Sequence, residues 1–271
     1  MHLDRLVAIL EAVAVAGRAV TAVEVQAATG LPRPTCYRLL QSLADHRLLD
    51  CEDNAARYVI GHRLTRIALL GQSDTDVRSA ATPAMRETAN LLGEAVFLAR
   101  FREKSVEIVH VETPSDPTRS YVHPGLGRRP FHACSCSKAI AAFAEPDFRE
   151  TILGGPMRAY TAHTKTSRSE IESEFAAIVE RGYAECVEEM EIGVSSVASP
   201  VRIRNTSASF SIGATGPVRR FNAGARRRIG DALVQSALKV AAAIQLKERS
   251  LLPPAPSEQP RPDGAETDRV A

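Results

Sequence analysis

The sequence of 271 residues predicts an α+β protein with a small helical domain followed by a larger domain of mixed helices and strands. Two observations lead to this prediction. Near the start of the chain, apolar residues recur at helical spacing and are interrupted at Gly17 and Gly30. Beyond residue 93, short apolar or alternating runs typical of strands are interspersed with helical stretches.

Three successive helices are expected at the start of the chain. In the first, the apolar residues fall on one face: Leu6, Val7, Leu10 and Val13. The second begins with Thr21 and Glu24, which have the spacing of a capping box, and ends at Gly30. The third begins with Pro32 and Pro34, which fit a first helical turn because a missing N–H costs little there. Helix, short glycine turn and helix form the helix-turn-helix pattern.

The start of the third helix carries residue types that contact DNA. In a helix-turn-helix, this recognition helix enters the major groove with its N-terminal residues, while nearby hydroxyls and amides bind phosphates. Arg33 and Arg38 can form charged or bidentate contacts, and Thr35 and Tyr37 carry hydroxyls. A solvated face of a protein-interaction module would also fit this pattern. The formal net charge of +2 does not decide between these alternatives.

A β-wing and a linker helix are expected next. Residues 50–61, DCEDNAARYVIG, predict two short strands around a turn at Asp53 and Asn54, ending at Gly61. Residues 63–92 have helical spacing, and Pro83 is expected to break or kink the helix. The predicted boundaries are a winged helix-turn-helix over 1–72, the linker helix and start of the second domain over 73–92, the second domain over 93–249 and a disordered tail over 250–271.

The second domain is expected to combine a sheet with helices. EAVFLARF and SVEIVHVE are typical of paired strands with a turn at Glu103 and Lys104, and further strands are expected in GYAECVEEM, SSVASPVRI and ASFSIGAT. Helices are predicted over 135–144, 146–153 and 167–181. A final helix over 222–248 should pack on the sheet through Ile229, Leu233, Ser236, Val240 and Ile244.

The composition argues against several classes of protein. Five scattered cysteines, an odd number, do not suggest a secreted disulfide framework. No signal-peptide pattern and no run approaching about eighteen apolar residues is found, so a cytoplasmic location without membrane contact is expected. No glycine-rich phosphate loop, pair of catalytic carboxylates or nucleophile elbow stands out. We therefore expect neither an enzyme nor a cofactor.

The sequence resembles the IclR family of bacterial transcription regulators. LPRPTCYRLLQSLADHRLL followed by RYVIGHRL is similar to the winged helix-turn-helix of that family, with matches at Thr35, Tyr37, Arg38, Tyr58 and Gly61. The similarity continues through GRRPFHACSCSKAIAAFAE, YTAHTKT and GYAECVEEMEIGVSSVASPV to ATGP, so it covers residues 3–245. The resemblance implies a GAF-like effector-binding domain, a homodimer or dimer of dimers, double-stranded operator DNA as a partner, and control of genes by a small organic acid.

The resemblance also implies an effector site. Backbone amides at a helix start hold the carboxylate of the ligand in the family, which places Ser135 and Cys136 at these amides. Family members often have an aspartate at Cys186, a cysteine at Ser196, and serines at Gly213 and Thr215. The absence of the aspartate implies an effector with fewer hydrogen-bonding groups, or a larger and more apolar one. Glu188 and Glu189 match an acidic pair that we interpret as structural.

Two further roles, a zinc site and a redox-sensing thiol, are considered for a group of one histidine and three cysteines. Its members are His132, Cys134, Cys136 and Cys186. Thiolate and imidazole are preferred zinc ligands. However, the residues of His-x-Cys-x-Cys alternate along an extended stretch, so Cys134 should point away from its neighbours, and we expect no metal. The alternative function is a redox-sensing regulator, which would require a cysteine with a lowered pKa at the helix start.

Overall fold

The computed structural model describes residues 2–52, 57–71, 73–116, 118, 121–203 and 208–250. The expected wing turn at Asp53 and Asn54 lies outside these residues, as does the expected disordered tail over 250–271 except for Ser250, which is the last residue of a helix. Within the described residues, a winged helix-turn-helix is followed by two helices and then by a six-stranded sheet with helices on both faces. The predicted α+β fold is therefore confirmed.

The first domain consists of α1 (His2–Ala16), β1 (Val20–Thr21), α2 (Ala22–Thr29), α3 (Arg33–Asp45), β2 (Leu49–Glu52) and β3 (Arg57–Ile60). Its core contains apolar residues from all three helices, among them Ile9, Val25, Leu39 and Leu40. The capping box is present, because the Thr21 hydroxyl accepts from the Glu24 N–H and the Glu24 carboxylate accepts from the Thr21 N–H at 2.7 Å. Val7 was predicted to be buried, but it is 43% exposed and Ile9 takes its place in the core.

Two helices connect the domains, α4 (His62–Gly71) and α5 (Asp74–Leu92). Of the break or kink predicted at Pro83, the break was wrong, since α5 continues through that residue. Instead, α4 ends at Gly71 and α5 begins at Asp74, with Ser73 as the N-cap whose hydroxyl accepts from the Asp76 N–H. Pro83 removes one helical hydrogen bond. Burial of one face of α5, with Val77, Ala81 and Met85 in the core, offsets that loss.

The second domain has one antiparallel sheet in the order β6-β5-β4-β9-β8-β7. The strands are β4 (Ala95–Arg102), β5 (Ser105–Glu112), β6 (Gly127–Arg129), β7 (Ala184–Val187), β8 (Val194–Val201) and β9 (Phe210–Pro217). One core contains residues of α6 (Ser135–Ala141), α7 (Pro146–Leu153) and α8 (Arg168–Arg181). The other contains residues of α5 and α9 (Ala223–Ser250). Alternating side chains of β4, such as Phe97 and Leu98, enter opposite cores.

The last helix, α9, is long and apolar enough between Ala223 and Leu246 to cross a membrane by length and composition. Its apolar side chains nevertheless pack on the sheet: Ile229, Leu233, Ala237, Val240 and Ile244. The buried Thr88 hydroxyl donates to Ser236 Oγ at 2.8 Å and links α5 to α9. These contacts make α9 a core helix of the domain and confirm the predicted packing face.

Candidate nucleic-acid interface and effector site

The predicted DNA-contacting residues lie together in the first half of α3. Gly30 has a left-handed φ of 65°, which ends α2 and allows the short turn into α3. Arg33, Tyr37 and Arg38 are exposed, whereas Thr35 is half-buried. The guanidinium of Arg33 lies over the Tyr37 ring at 5.6 Å. The opposite face of α3 is anchored in the core by Cys36, Leu39, Leu40 and Leu43, so the exposed side chains project from a fixed helix.

Three of the predicted effector residues form one row across the sheet. Cys186 on β7 pairs with Ser196 on β8, and Ser196 pairs with Thr215 on β9. Directly paired residues of antiparallel strands share a face. The row faces the start of α6, because Ser135 Oγ and Ser196 Oγ share a hydrogen bond of 2.7 Å. Ser196 therefore contacts the first turn of α6, Cys186 and Thr215 lie on the same face of the sheet, and the N-terminus of α6 favours an anion.

Gly213 is not part of this polar row. It lies between Phe97 on β4 and Ala198 on β8 in the neighbouring row. A Cβ atom on Gly213 would lie 2.3 Å from the Phe97 ring, so the ring occupies the space that a side chain would need. The predicted effector residues are buried, and the site is closed by Phe97 and by the bond between Ser135 and Ser196. An open groove of about 430 Å³ lies instead along α8 and includes Lys165, Ser169 and Ser173.

A buried cation lies beside the same row. Lys138 on α6 is fully buried, and its Nζ donates to Glu189 Oε1 at 2.7 Å. Burial alone would lower the pKa of Lys138, but the carboxylates of Glu189 and Glu174 raise it. Burial raises the pKa of Glu189, and its Oε2 has no hydrogen-bond partner among the residues that the structure describes. The partners of Lys138 carry no local signal in the sequence, because Glu174 lies on α8 and Glu189 lies two residues after β7, far along the chain.

The paired threonines and the acidic pair hold the backbone after β7. The hydroxyls of Thr161 and Thr164 donate at 2.6 Å to the carbonyls of Glu188 and Glu189, respectively. The Glu188 carboxylate accepts from the Gly193 N–H at 2.8 Å. These contacts support a structural role for the acidic pair. The same hydrogen bonds hold the backbone next to Cys186, which lies on β7 two residues before Glu188.

The expectation that Cys134 points away from its neighbours was wrong. Cys134 is the N-cap of α6 and Cys136 lies in its first turn, so the helix begins between them and the Sγ atoms lie 3.3 Å apart. His132 does not join them, since its Nε2 lies 2.9 Å from the Arg158 carbonyl. Among the described residues, no group of three or more histidine, cysteine or acidic side chains is arranged to hold a metal ion.

The thiols differ in acidity. Burial raises the pKa of Cys186 to about 12. The hydrogen bond with Cys136, together with burial, raises the pKa of Cys134. Burial also opposes ionisation of Cys136, but hydrogen bonds with Cys134 and Ser137 lower its pKa. Cys136 is fully buried, which keeps this thiol out of contact with solvent.

A winged helix-turn-helix in front of a helix-covered sheet defines the class of DNA-binding transcription regulators, and comparisons with known proteins agree. The model described as "IclR helix-turn-helix domain" matches residues 2–51. The model described as "Bacterial transcriptional regulator IclR C-terminal" matches residues 71–242. The chain belongs to the IclR family of bacterial transcription regulators.

Individual relatives support this assignment. The glycerol operon regulatory protein of Streptomyces griseus is 31% identical over 222 residues, which are 81% of this chain and 85% of that protein. The transcriptional repressor IclR of Escherichia coli is 22% identical and covers 88% of both chains. The crystal structure of an IclR homolog complexed with 4-hydroxybenzoate, from Microbacterium hydrocarbonoxydans, has a TM-score of 0.57 at 23% identity and covers 91% of this chain and 100% of that one. These relatives are regulators, and they give no support to the redox alternative.

Proposed function

We propose that this regulator binds operator DNA through α3 and the wing, and that a small organic acid bound between α6 and the sheet controls its affinity for that DNA. The observation that carries the proposal is the position of the α6 start over the row of Cys186, Ser196 and Thr215. A helix N-terminus attracts a carboxylate, and the row supplies groups for the rest of the ligand. A cytoplasmic location follows from the proposal, because operator DNA lies there.

The DNA side of the proposal rests on the exposed residues Arg33, Tyr37 and Arg38. We propose that Arg38 reads a base edge and that Arg33, whose guanidinium lies over the Tyr37 ring, contacts phosphate. Two copies of the chain would present two recognition helices to an inverted repeat, so we propose a homodimer or a dimer of dimers as the DNA-binding form.

The proposed class of effector rests on the chemistry of the buried row of Cys186, Ser196 and Thr215. Cys186 is a neutral thiol and cannot pair with a cationic or strongly polar group as an aspartate would. Phe97 and Cys136 supply apolar surface in the same core. We therefore propose an organic acid with an apolar or aromatic body. 4-Hydroxybenzoate, bound by the Microbacterium relative, is the first compound to test.

The DNA-binding test uses a fragment from upstream of the protein's own gene. Arg38→Ala should weaken binding by about 1–3 kcal/mol and relax sequence preference, because a base contact is lost. Arg33→Ala should weaken binding evenly across sequences and make the slope of log affinity against log salt shallower by about 0.9 per phosphate contact. Fluorescence anisotropy at several salt concentrations measures both effects.

The control is Arg227→Ala, which removes an arginine that is also exposed, on α9, and should leave binding unchanged. Equal affinity of the wild type and both α3 variants would contradict the assignment of α3 as the recognition helix.

The effector test is titration calorimetry with 4-hydroxybenzoate, benzoate and glyoxylate. We expect an aromatic acid to bind more tightly than glyoxylate. Cys186→Asp should abolish its binding, because a second negative charge would occupy the same small site. Cys186→Ala should change the affinity for the acid and leave DNA binding intact. If none of the three acids binds the wild type, the proposed effector class is wrong.

A further inference from the structure

We infer that Glu145 is a positioning residue that couples the effector domain directly to the DNA-binding domain of the same chain. This contact is separate from the covalent connection through α4 and α5. Its regulatory role rests on the function proposed above, whereas the contact itself is a property of the free protein.

Glu145 uses both carboxylate oxygens to contact the other domain. Arg47 Nη1 donates to Glu145 Oε2 at 2.6 Å. His62 Nε2 lies 3.1 Å from Glu145 Oε1. The side chains of Glu145 and His62 are 27% and 18% exposed, whereas that of Arg47 is 57% exposed, so the contact is shielded from solvent on the Glu145 and His62 side only. An ion pair of this kind is stronger than one between two fully exposed side chains.

On the DNA-binding side, Glu145 meets a junction of three elements. Arg47 lies in the turn after α3, with a left-handed φ of 55°. His62 is the first residue of α4 and follows the wing directly. The Gly61 N–H donates to the Leu48 carbonyl at 2.9 Å, and the Arg63 N–H donates to the Arg47 carbonyl at 3.2 Å. The end of the recognition helix, the end of the wing and the start of α4 are therefore bonded to one another.

On the effector side, Glu145 lies at the end of a continuous structural unit. It is the N-cap of α7 and follows Ser135, at the start of α6, by ten residues. Backbone hydrogen bonds extend the helical path past α6, from the Ala142 N–H to the Lys138 carbonyl and from the Ala144 N–H to the Ala141 carbonyl. At a rise of about 1.5 Å per residue, the seven residues of α6 span about 10 Å of this path.

These observations connect the proposed effector site to the recognition helix. A ligand that separates Ser135 from Ser196 must move the start of α6. Because α6 is short, buried along its length and continuous with the following turn, its displacement reaches Glu145. Loss of the contacts with Arg47 and His62 then releases this junction, and with it the end of α3, from the effector domain. Linkage requires the reverse effect as well: DNA bound to α3 must change the stability of the α6 start.

The first test is hydrogen exchange of the free protein, read by mass spectrometry. Glu145→Gln keeps the shape of the side chain and removes its charge. We expect amides of residues 57–65 to exchange about threefold to tenfold faster in this variant. Glu150→Gln is the matched control, because Glu150 lies on the same helix and pairs with Arg168 inside the effector domain. Equal exchange in Glu145→Gln and Glu150→Gln would overturn the inference.

The second test adds DNA from upstream of the gene. DNA should change exchange at residues 134–141 of the wild type and of Glu150→Gln, and this remote change should fall at least about fivefold in Glu145→Gln.

Charge reversal provides a further check, since Arg47→Glu should lose the remote change and Arg47→Glu with Glu145→Arg should recover part of it. If DNA binds and the remote change is absent from the wild type or persists in Glu145→Gln, the inference is wrong. If no DNA binds the wild type, the proposed function is wrong. The first test still decides whether Glu145 stabilises the junction, because it needs no DNA.

Discussion

Lys138 is a fully buried cation whose charge is balanced by Glu189 and Glu174. Lys138→Met should destabilise the protein by about 3–5 kcal/mol, because Glu189 is left buried without its partner. Combining Lys138→Met with Glu189→Leu should recover most of the loss, since no unpaired charge remains. Urea unfolding measures these differences.

Lys239→Met is the control for this comparison. Lys239 pairs with Glu87 at the surface, where an ion pair contributes less than about 1 kcal/mol. A cost for Lys138→Met no larger than that of the control would show that the buried pair does not stabilise the fold.

Glu24 gives the capping box of α2 a defined pH dependence. Hydrogen bonds from the Thr21 backbone N–H and from Arg18 lower its pKa to about 2 from an ordinary 4.5. The stabilisation is therefore complete above pH 4.5 and is lost as the pH falls toward 2. Glu24→Gln should lower the melting temperature of the first domain at pH 7, and its difference from the wild type should shrink over that range. A difference independent of pH would contradict this assignment.

At the scale of elements, the junction after the wing depends on a glycine. A Cβ on Gly61 would lie 2.4 Å from the Arg47 carbonyl oxygen, a backbone atom that cannot rotate away. Gly61→Ala should therefore cost about 1–3 kcal/mol in thermal unfolding. Gly71→Ala on α4 is the control, because a Cβ there meets no atom within 4 Å, and it should be neutral or slightly stabilising. Equal stability of the two variants would contradict the tight approach at Gly61.

Elements with strong local signals were predictable from the sequence. The capping box at Thr21, the apolar run in EAVFLARF and the partial alternation in SVEIVHVE predicted α2, β4 and β5. The strands β1 and β6 were missed, because two or three residues carry no periodicity and become strands only by pairing with β3 and β5. The break between helices was predicted at Pro83 but lies before Asp74, because burial of one face of α5 outweighs the local effect of Pro83.

The candidate sites were predictable only where neighbouring residues define them. The exposed start of α3 follows from helical spacing and local turn chemistry. The row through Cys186, Ser196 and Thr215 came from the family resemblance, because its strands are far apart in sequence. No local pattern could reveal that Phe97 fills the space at Gly213 or that Glu145 meets Arg47. Both depend on contacts between residues about a hundred positions apart.

The whole molecule contains separate hydrophobic cores. Leu40 belongs to the core of the first domain, and Ile212 belongs to a core of the second, and both are fully buried. Leu40→Ala and Ile212→Ala should each cost about 2–5 kcal/mol. In scanning calorimetry, each variant should lower mainly the transition of its own domain. A single transition that both variants lower equally would mean that the two domains unfold as one cooperative unit.

The hydrogen bond between Ser135 and Ser196 also affects the rate at which a ligand can bind. Because that bond and the Phe97 ring close the proposed site, a ligand can bind only after the protein has opened by itself or after a slow step that follows an initial encounter. At high ligand concentration, the observed rate of binding would level off at the rate of this conformational step. The speed of the regulatory response would then be set by the opening of α6, and raising the amount of metabolite further would not make the response faster.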